Sequence, residues 1–417
     1  MLNKNQEREL AYVVYIDAVE PISGKDRVEC ARVGGWTCMV PKGAFQPGDP
    51  GIYFEIDSQV PLDNPVFEFC AKYKGHIKTQ KFKTPEGQFW SQGLLMPASD
   101  FGWTVDGAQF AGGFLFITDD KGIQHIPGDE SAFLTEKLGV TYYEVEDQKR
   151  KAKVNPDAKI NSTLSRHPRI AKRFGKLIKK NKFAKTIFLF FFGRKKPSSW
   201  PAWVVKTDEE RVQNMPWILN DKSEWFATEK IDGTSTTFTL KGRGRKQEFY
   251  ICSRNVCFDT PAKMAAGAWY DTNVYQEMGV KYNIEEVLKD LLNKDKNLEF
   301  VTLQGETYGE GIQKRDYSLK EHRLMTFNLI YGYKDGTKKR FNPREMTEIL
   351  EPFGVPCVPI VDEHFVMPDT VEELLTIATD KSAVDGGMRE GLVFRSTDGT
   401  QSFKAVSNEF LMKYHNG

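Results

Sequence analysis

The sequence predicts an α+β protein in which a small β-barrel precedes a larger domain built on antiparallel sheets. Residues 10–97 consist of short apolar alternations separated by glycine and proline turns, and the carboxy-terminal half mixes strand-like runs with helical patterns. At 417 residues the chain can bury more than one hydrophobic core. We therefore predict a barrel domain over residues 1–146, a basic linker or helical insert over 147–200, and the sheet domain over 201–417.

Four stretches with alternating apolar residues predict the strands of the barrel. The turn residues Gly34-Gly35 and Pro47-Gly48-Asp49 lie between them. This pattern is typical of an OB-fold, a small barrel that often binds nucleic acid. The predicted strands cover residues 11–16, 28–33, 36–40 and 52–56.

Helices are predicted in the sheet domain from caps and apolar spacing. Asn342-Pro343 begins one helix and Gly354 follows its end. Thr370 caps a second helix, whose apolar residues recur at helical spacing. A third helical stretch, from Pro261 to Leu292, is predicted to cover one face of a sheet.

The composition is that of an intracellular protein with reduced thiols. None of the six cysteines forms a Cys-x-x-Cys pair or has a histidine at metal-ligand spacing, which argues against a zinc site. The amino terminus is polar and lacks an apolar signal core. The apolar run Ile187–Phe192 is too short to cross a bilayer. We therefore expect a cytoplasmic location and no membrane partner.

The net charge is only +1, but the charge is distributed unevenly. The stretch from Arg166 to Lys196 contains many lysines and arginines and no aspartate or glutamate, and its apolar residues recur at the spacing of an amphipathic helix. Nucleic acid is the favoured partner because neutralising phosphates releases counterions, and Phe183 and Phe188 could contact exposed bases. A flexible basic linker and a membrane-surface helix are the alternatives.

The segment Glu229-Lys230-Ile231-Asp232-Gly233 contains the candidate nucleophile. A lysine amine attacks the α-phosphorus of a nucleotide only when it is deprotonated, so desolvation or neighbouring cations must lower its pKa. Asp232 and Gly233 are typical of a tight turn, and the following residues 234–240 alternate like a strand. Taken alone, the same pattern also fits a surface hairpin with a solvated lysine.

Five further segments follow this lysine in the order that one class of nucleotidyltransferases uses. They are Phe249–Asn255, Leu303–Gly309, Met325–Ile330, Arg389–Arg395 and Ser402–Ser407. With the Lys-x-Asp-Gly segment they resemble the motifs of the covalent nucleotidyltransferase superfamily, which contains DNA ligases, RNA ligases and capping enzymes. So many charged residues in this one order are not explained by independent coincidences.

The resemblance implies roles for the residues of each segment. The implied catalytic residues are Lys230, Asp232, Glu306, Glu390 and Lys404. The implied nucleotide-binding residues are Thr228, Glu229, Lys230, Arg254, Asn255, Glu306, Phe327, Glu390 and Lys404. Phe327 would stack on adenine, while Thr228 and Glu229 would line the base edge. The implied ligands of Mg²⁺ or Mn²⁺ are Asp232, Glu306 and Glu390, acting in part through the water shell of the ion.

The amino-terminal half narrows the resemblance to one RNA ligase group. Val40–Gly43, Tyr53–Ser58 and Ser91–Pro97 are similar to the OB domain of ligases that seal 3′-hydroxyl ends at nicks, sometimes called Deinococcus-type. Lys206–Asn214 resembles the segment that precedes the nucleophile motif in these ligases. The chain continues for only thirteen residues beyond Lys404, so we expect no carboxy-terminal OB domain of the kind found in DNA ligases and capping enzymes.

The resemblance therefore implies an ATP-dependent RNA ligase that acts through a lysyl-AMP intermediate. The expected partners are ATP and nicked duplex RNA or an RNA–DNA hybrid, and the expected oligomeric state is a monomer. Two alternatives remain: a capping-type guanylyltransferase, and a catalytically inactive OB-containing RNA-binding protein. A chain beginning near Pro201 is expected to retain lysine adenylylation and to lose most nick sealing.

Overall fold

The described residues of a computed structural model form two compact units, and the polypeptide passes between them more than once. The first unit comprises Met1–Tyr143, Lys206–Lys230 and Pro359–Gly417, and the second comprises Glu144–Val205 and Ile231–Val358. The predicted domains are continuous stretches of sequence with boundaries at residues 146 and 200. Each of the two units, in contrast, combines separate stretches of the chain. The structure describes residues 1–4, 8–107, 115–143, 164, 168–181, 184–188, 200–201, 203–204, 206, 208–254, 256–258 and 273–415.

Strands account for most of the regular structure. Those of the first unit that precede residue 143 are β1 (Ala11–Tyr15), β2 (Ala18–Pro21), β3 (Val28–Val33), β4 (Trp36–Pro41), β5 (Pro50–Phe54), β6 (Ser58–Gln59), β7 (Gln80–Thr84), β8 (Gly87–Ser91), β9 (Leu94–Met96), β10 (Thr104–Asp106), β11 (Phe116–Thr118), β12 (Gln124–His125) and β13 (Thr141–Tyr142). The later strands are β14 (Glu210–Arg211), β15 (Glu224–Lys230), β16 (Thr234–Lys241), β17 (Glu248–Cys252), β18 (Leu298–Gly309), β19 (His322–Tyr333), β20 (Lys338–Arg340), β21 (Ile360–Val366), β22 (Gly391–Ser396) and β23 (Ser402–Val406).

The helices are fewer and mostly short. In the part of the chain that the structure describes, the α-helices include α1 (Pro168–Lys180), α2 (Val274–Lys281), α3 (Ile284–Lys294), α4 (Pro343–Leu350), α5 (Val371–Ala378) and the single turn α6 (Asn408–Phe410), which runs into a π-helical turn at Leu411–His415. Residues 184–188 are also helical. The 3₁₀ turns are Pro65–Tyr73, Ala98–Phe101, Glu130–Ala132, Val212–Asn214, Pro216–Asn220, Gly244–Lys246 and Glu351–Phe353. No described helix is long and apolar enough to span a bilayer.

The barrel part of the first unit confirms the four predicted strands, which correspond to β1, β3, β4 and β5. Three sheets before residue 143 have three strands each, in the orders β1-β5-β9, β2-β3-β4 and β10-β11-β12. Aromatic side chains fill the core: Tyr12, Trp36 and Tyr53 are all buried, and the rings of Tyr12 and Tyr53 lie 5.6 Å apart. Burial of such large rings stabilises this small barrel.

The barrel shares its core with the carboxy-terminal part of the first unit. Val406 and Leu411 pack in the same buried cluster as the barrel residues Tyr12 and Trp36. The Trp36 indole N–H donates to Asn214 Oδ1 at 2.6 Å, and the Tyr12 hydroxyl donates to the same atom at 3.1 Å. The first unit is therefore held together by apolar packing and by buried hydrogen bonds between segments far apart in sequence.

Each unit also contains one five-stranded, mainly antiparallel sheet. In the first unit the strand order is β14-β23-β22-β15-β21, with β14 parallel to β23. In the second unit the order is β17-β16-β18-β19-β20. Buried residues of α2, α3 and α4 pack on the second sheet, which confirms the predicted helical cover where residues are described; residues 261–272 of that prediction lie outside them.

The predicted helix caps are confirmed. Asn342 and Thr370 each form a capping box with the glutamate three residues later, Glu345 and Glu373. These reciprocal hydrogen bonds satisfy backbone N–H groups that the first turn of a helix leaves without partners. Gly354 follows the end of the first of these helices in a left-handed conformation, as expected for a helix C-terminus.

A buried carboxylate ties the barrel to the neighbouring segments of the first unit. Glu55 is fully buried, and it accepts hydrogen bonds from Arg8 Nε at 2.6 Å, from Asn214 Nδ2 at 2.9 Å and from the amino group of Met1. Burial acts to raise the pKa of Glu55, but the Met1 and Arg8 cations outweigh it and hold the pKa well below its usual range.

We expect Glu55→Gln to reduce the free energy of unfolding by roughly 3 kcal/mol, because the partly buried Arg8 and the Met1 amino group lose a fully buried counter-charge. Since the folded pKa lies below the unfolded value of about 4.3, the contribution of Glu55 is present above that pH and is lost as pH falls. Urea denaturation at pH 7 and pH 4 should show a smaller pH dependence in the variant than in the parent. The matched control is Glu20→Gln, at an exposed ion pair with Arg32; equal losses in both variants would contradict the assignment.

Candidate active site

The candidate nucleophile lies at the end of a central strand of the first unit. Strand β15 ends at Lys230, which is paired in register with Gly391 at the start of β22. Its Nζ donates to Glu390 Oε2 at 2.7 Å. The Lys230 side chain is 25% exposed and that of Glu390 is 7% exposed, so the amine can be reached from solvent while its carboxylate partner is shielded.

A second lysine faces the same side of this sheet. Thr228 is paired with Val393, and Val393 with Lys404, so these side chains project from one face. Because side chains alternate along a strand, Lys230 lies on that face too. The structure thus places Thr228, Lys230 and Lys404 on one surface, as the motif assignments require.

Positive charge is concentrated around Lys404. Burial lowers its pKa, Asp208 opposes that effect through an ion pair with an Nζ–Oδ1 distance of 2.9 Å, and neighbouring cations lower the pKa further. Those cations are Arg8, Arg211 and Lys230. Because lysine and arginine are the side chains that bind phosphates, this part of the first unit suits a polyphosphate.

Glu229 points away from these lysines. It alternates with Lys230 on β15, and its carboxylate accepts hydrogen bonds from the Ser382 hydroxyl and from the Ala383 backbone N–H, the latter at 2.7 Å. The side chain is only 1% exposed. In this structure Glu229 anchors the loop at residues 382–383, and its contact with the base edge stays a prediction.

The residues that flank Glu390 fix its position. The Arg389 guanidinium is buried and donates to the carbonyls of Ile377 and Ala378 at 2.8 and 3.2 Å, at the end of α5. These bonds satisfy carbonyls that a helix C-terminus leaves open. A Cβ on Gly391 would lie 2.2 Å from the carbonyl oxygen of Ala405, so only glycine fits between β22 and β23.

The chain enters the second unit directly after Lys230, in the turn at Ile231–Gly233. The Asp232 backbone N–H donates to the Tyr317 hydroxyl at 2.8 Å, and the Gly233 carbonyl accepts from Gln313 Nε2 at 2.9 Å. A Cβ on Gly233 would lie 2.9 Å from Glu306 Cγ, so glycine allows this turn to approach the glutamate closely. Within the second unit the structure therefore brings the Asp232 turn next to Glu306.

Phe327 lies at an irregularity in β19. The pairing of β18 with β19 shifts register between Gln304 and Gly305, whose partners are Asn328 and Thr326, so the register skips Phe327. Phe327 is partly exposed rather than buried in the core. Bulges re-aim side chains and are common beside active sites, so the predicted ring stacking is compatible with this position.

The last residues of the motif segment Phe249–Asn255 follow strand β17, as predicted. Arg254 is exposed, and Ser253 forms a turn in which its N–H donates to the Val256 carbonyl at 2.9 Å. Asn255 lies outside the described residues. The predicted contacts of Arg254 and Asn255 with ribose and α-phosphate stay predictions.

Three residues beside these motifs had no assigned role. Asp208 holds Lys404, and Tyr317 binds the Asp232 turn. Arg211 is paired in register with Lys404 and contacts Asp57 Oδ2 at 3.4 Å, while its Nε and Nη1 are buried without a hydrogen-bond partner in the described structure. The resemblance of Lys206–Asn214 to a ligase segment points to Asp208 and Arg211, but no sequence pattern points to Tyr317.

The predicted metal ligands are chemically suited to a hard divalent cation. Asp232, Glu306 and Glu390 supply carboxylate oxygens, which Mg²⁺ and Mn²⁺ prefer. Asp232 and Glu390 are buried, and Glu306 is partly exposed. Glu390 already has Lys230 as a counter-charge, and the fit to a metal rests on the preference of a hard cation for carboxylate oxygens.

Residues in each half of the chain match a known protein family. The RNA ligase family matches residues 223–415, and an OB-fold domain family matches residues 10–98. No curated protein sequence matches the chain significantly.

Solved structures of one RNA ligase resemble the whole chain. Naegleria gruberi RNA ligase with pyrophosphate is 26% identical, covers 99% of this chain and 100% of its own, and has a TM-score of 0.68. A lysine-to-alanine variant of that ligase with ATP and Mn is 27% identical over 98% of this chain and 99% of its own, with a TM-score of 0.68. A glutamate-to-alanine variant with AMP and Mn is 26% identical over 98% of this chain and 100% of its own, with a TM-score of 0.66.

The fold therefore defines an antiparallel-sheet nucleotidyltransferase domain preceded by an OB-fold domain, as the sequence predicts. Residues 223–415 match the RNA ligase family, and the whole chain resembles an ATP-dependent RNA ligase. The predicted fold class and the resemblance to RNA ligases with an amino-terminal OB domain are both confirmed.

Proposed function

We propose that this ATP-dependent RNA ligase joins 3′-hydroxyl and 5′-phosphate ends at nicks in duplex RNA or RNA–DNA hybrids through a lysyl-AMP intermediate. The observation that carries the proposal is the pairing of Lys230 with Glu390 on the sheet face that also holds Lys404. The choice of ATP and a divalent metal ion rests on relatives solved with ATP, AMP and Mn. The choice of nicks rests on the resemblance to the nick-sealing group.

In the first step the Lys230 amine attacks the α-phosphorus of ATP. A nitrogen–phosphorus bond forms, the bond to the bridging oxygen of the β-phosphate breaks, and pyrophosphate leaves with the electron pair. The ammonium form paired with Glu390 has no free electron pair, so it must lose a proton first. Lys404 supplies positive charge on the same face, where the departing phosphates accumulate negative charge.

The next two steps transfer AMP to RNA and then release it. An oxygen of the RNA 5′-phosphate attacks the phosphorus of lysyl-AMP, which frees the amine and forms a pyrophosphate-linked adenylate on RNA. The 3′-hydroxyl of the adjoining strand then attacks the RNA phosphorus, loses its proton and expels AMP. Both steps are in-line displacements, so positioning and charge stabilisation supply most of the catalysis.

Each metal ligand keeps the role that the family resemblance implies. Asp232, Glu306 and Glu390 are the carboxylates that would hold Mg²⁺ or Mn²⁺, which supplies Lewis-acid stabilisation of phosphate charge. In the second unit, Tyr317 holds the backbone at Asp232. In the first, Arg389 anchors the chain immediately before Glu390.

Incubation with labelled ATP or labelled GTP, followed by denaturing gel electrophoresis, tests the chemistry. We expect a covalent adduct from ATP alone. An adduct from GTP alone would favour a capping-type guanylyltransferase, and no adduct from either would favour an inactive RNA-binding protein. Sealing of nicked RNA duplexes, compared with free single strands, tests the substrate.

We expect Glu390→Gln and Glu306→Gln to reduce kcat for adenylylation by about 10²-fold or more, with a smaller effect on KM for ATP. The physical reason is that stabilisation of developing charge is greatest in the transition state. Rapid-quench measurement of lysyl-AMP formation at varied ATP separates kcat from KM. The control is Glu348→Gln on the exposed side of α4; a raised KM with unchanged kcat in the test variants would oppose the assigned role.

A further inference from the structure

Helix α1 presents an exposed basic face in the second unit. Of its thirteen residues, Arg169, Lys172, Arg173, Lys176 and Lys179 are all exposed. None of these five has an acidic partner among the described residues, and no aspartate or glutamate occurs between residues 166 and 196. The helix lies outside both family matches, which cover residues 10–98 and 223–415.

The cations occupy one side of the helix. At 3.6 residues per turn, Lys172, Lys176 and Lys179 lie within roughly 60° of one another, and Arg169 and Arg173 extend the same stripe. From Arg169 to Lys179 the stripe runs for about 15 Å at a rise of about 1.5 Å per residue. Such a row of unpaired cations gains most from a partner whose negative charges are also arranged in a row.

The opposite side of α1 is already packed within the second unit. Ile178 is buried in a small cluster with Leu164 and Phe188, and Ala171 packs against it. Phe188, which we expected to contact bases, is only 5% exposed and therefore serves this cluster instead. Phe183 lies outside the described residues.

This packing distinguishes between the three interpretations of the basic segment. A helix that binds a bilayer inserts the centre of its apolar face, but here that centre is covered by protein, and only the flanking Phe174 and Leu177 are exposed, at 46% and 58%. A flexible linker would not bury an apolar cluster. Charge complementarity therefore favours a polyanion that touches the basic face alone.

We propose that the basic face of α1 binds the phosphate backbone of the RNA substrate. The choice of RNA as the polyanion rests on the proposed ligase function. The contact is independent of sequence, because lysine and arginine neutralise phosphates and do not read base edges here. It adds affinity for RNA without taking part in lysine adenylylation.

The test variant is Lys172→Gln, Lys176→Gln and Lys179→Gln combined in the full chain. Glutamine has nearly the helix propensity of lysine, so α1 should persist. Fluorescence anisotropy with labelled nicked RNA duplex, over a series of salt concentrations, measures affinity. We expect at least a roughly tenfold loss at low salt, and a slope of log affinity against log salt that is shallower by about 2 to 3.

The matched control replaces three exposed lysines elsewhere in the second unit, Lys296, Lys320 and Lys334, by glutamine. It removes the same net charge, so a change confined to the α1 variant locates the contact on that helix. Equal changes in the two variants, or an unchanged salt slope in the α1 variant, would overturn the proposal. So would loss of binding to vesicles of phosphatidylcholine and phosphatidylserine with RNA binding unaltered, which assigns the helix to a membrane surface.

Lysyl-AMP formation is measured on the same proteins. We expect the α1 variant to form the adduct at the parental rate. Absence of adduct in the parent would refute the ligase function, whereas normal adduct with unchanged RNA binding would refute only the role of α1.

Discussion

Lys230→Ala is expected to abolish formation of the covalent AMP adduct and the sealing of 5′-phosphate ends. Lys230 is the lysine of the motif, and its amine lies 2.7 Å from the carboxylate of Glu390 on a partly exposed strand end. Alanine removes the only nitrogen at this position that can form the bond to phosphorus. The measurement is transfer of label from ATP to protein, read after denaturing electrophoresis.

Two comparisons make this result specific. RNA that already carries a 5′ adenylate bypasses the lysine, so the variant should retain sealing of that substrate. Lys222→Ala, at an ion pair with Asp369 just before the same strand, should form adduct normally. A denaturation-resistant AMP adduct on Lys230→Ala would show that another residue is the nucleophile.

The sequence predicts which residues form the site better than it predicts how they are arranged in space. The order of the motifs identifies Lys230 and Glu390, although 160 residues separate them, because each motif has a recognisable chemistry. Their contact depends on the pairing of β15 with β22, which is a long-range feature that local patterns do not determine. For Glu229, a local pattern does determine the geometry. Side chains alternate along a strand, so Glu229 faces away from its neighbour Lys230.

The fold shows the same division between local and long-range information. Helix caps at Asn342 and Thr370 follow from nearby residues and are confirmed. The assignment of Phe188 to base contacts was wrong, because its environment is a cluster with Leu164 and Ile178 that no short window of sequence reveals. The interleaving of the first unit also results from contacts between distant segments.

That interleaving changes the expected behaviour of a truncated chain. From the sequence, a chain beginning at Pro201 should keep lysine adenylylation, since it contains every motif. In the structure, however, Val406 and Leu411 share a buried cluster with Tyr12 and Trp36 of the barrel. Removing the barrel would expose this cluster, and loss of a single buried tryptophan side chain typically costs about 3–5 kcal/mol.

We therefore expect the chain beginning at Pro201 to lose its cooperative thermal transition and to form no lysyl-AMP. Polar losses add to the apolar ones: Asn214 would lose its bonds to Tyr12, Trp36 and Glu55, and Arg211 would lose Asp57. Circular dichroism melting and the labelled-ATP assay on the purified fragment measure both outcomes. A cooperative fold with adduct formation at the parental rate would restore the sequence-based expectation.

Co-expression separates the need for the barrel from the need for a continuous chain. Residues 1–143 and residues 201–417, produced as two polypeptides, contain all the segments of the first unit. If the shared core is what supports the lysine, the two fragments should co-purify and regain lysyl-AMP formation. Recovery should fail when the barrel fragment carries Trp36→Ala, because that change removes a ring from the shared cluster and the hydrogen bond to Asn214. Recovery to the same level with this variant would mean that packing between the barrel and the β23 segment does not support the site.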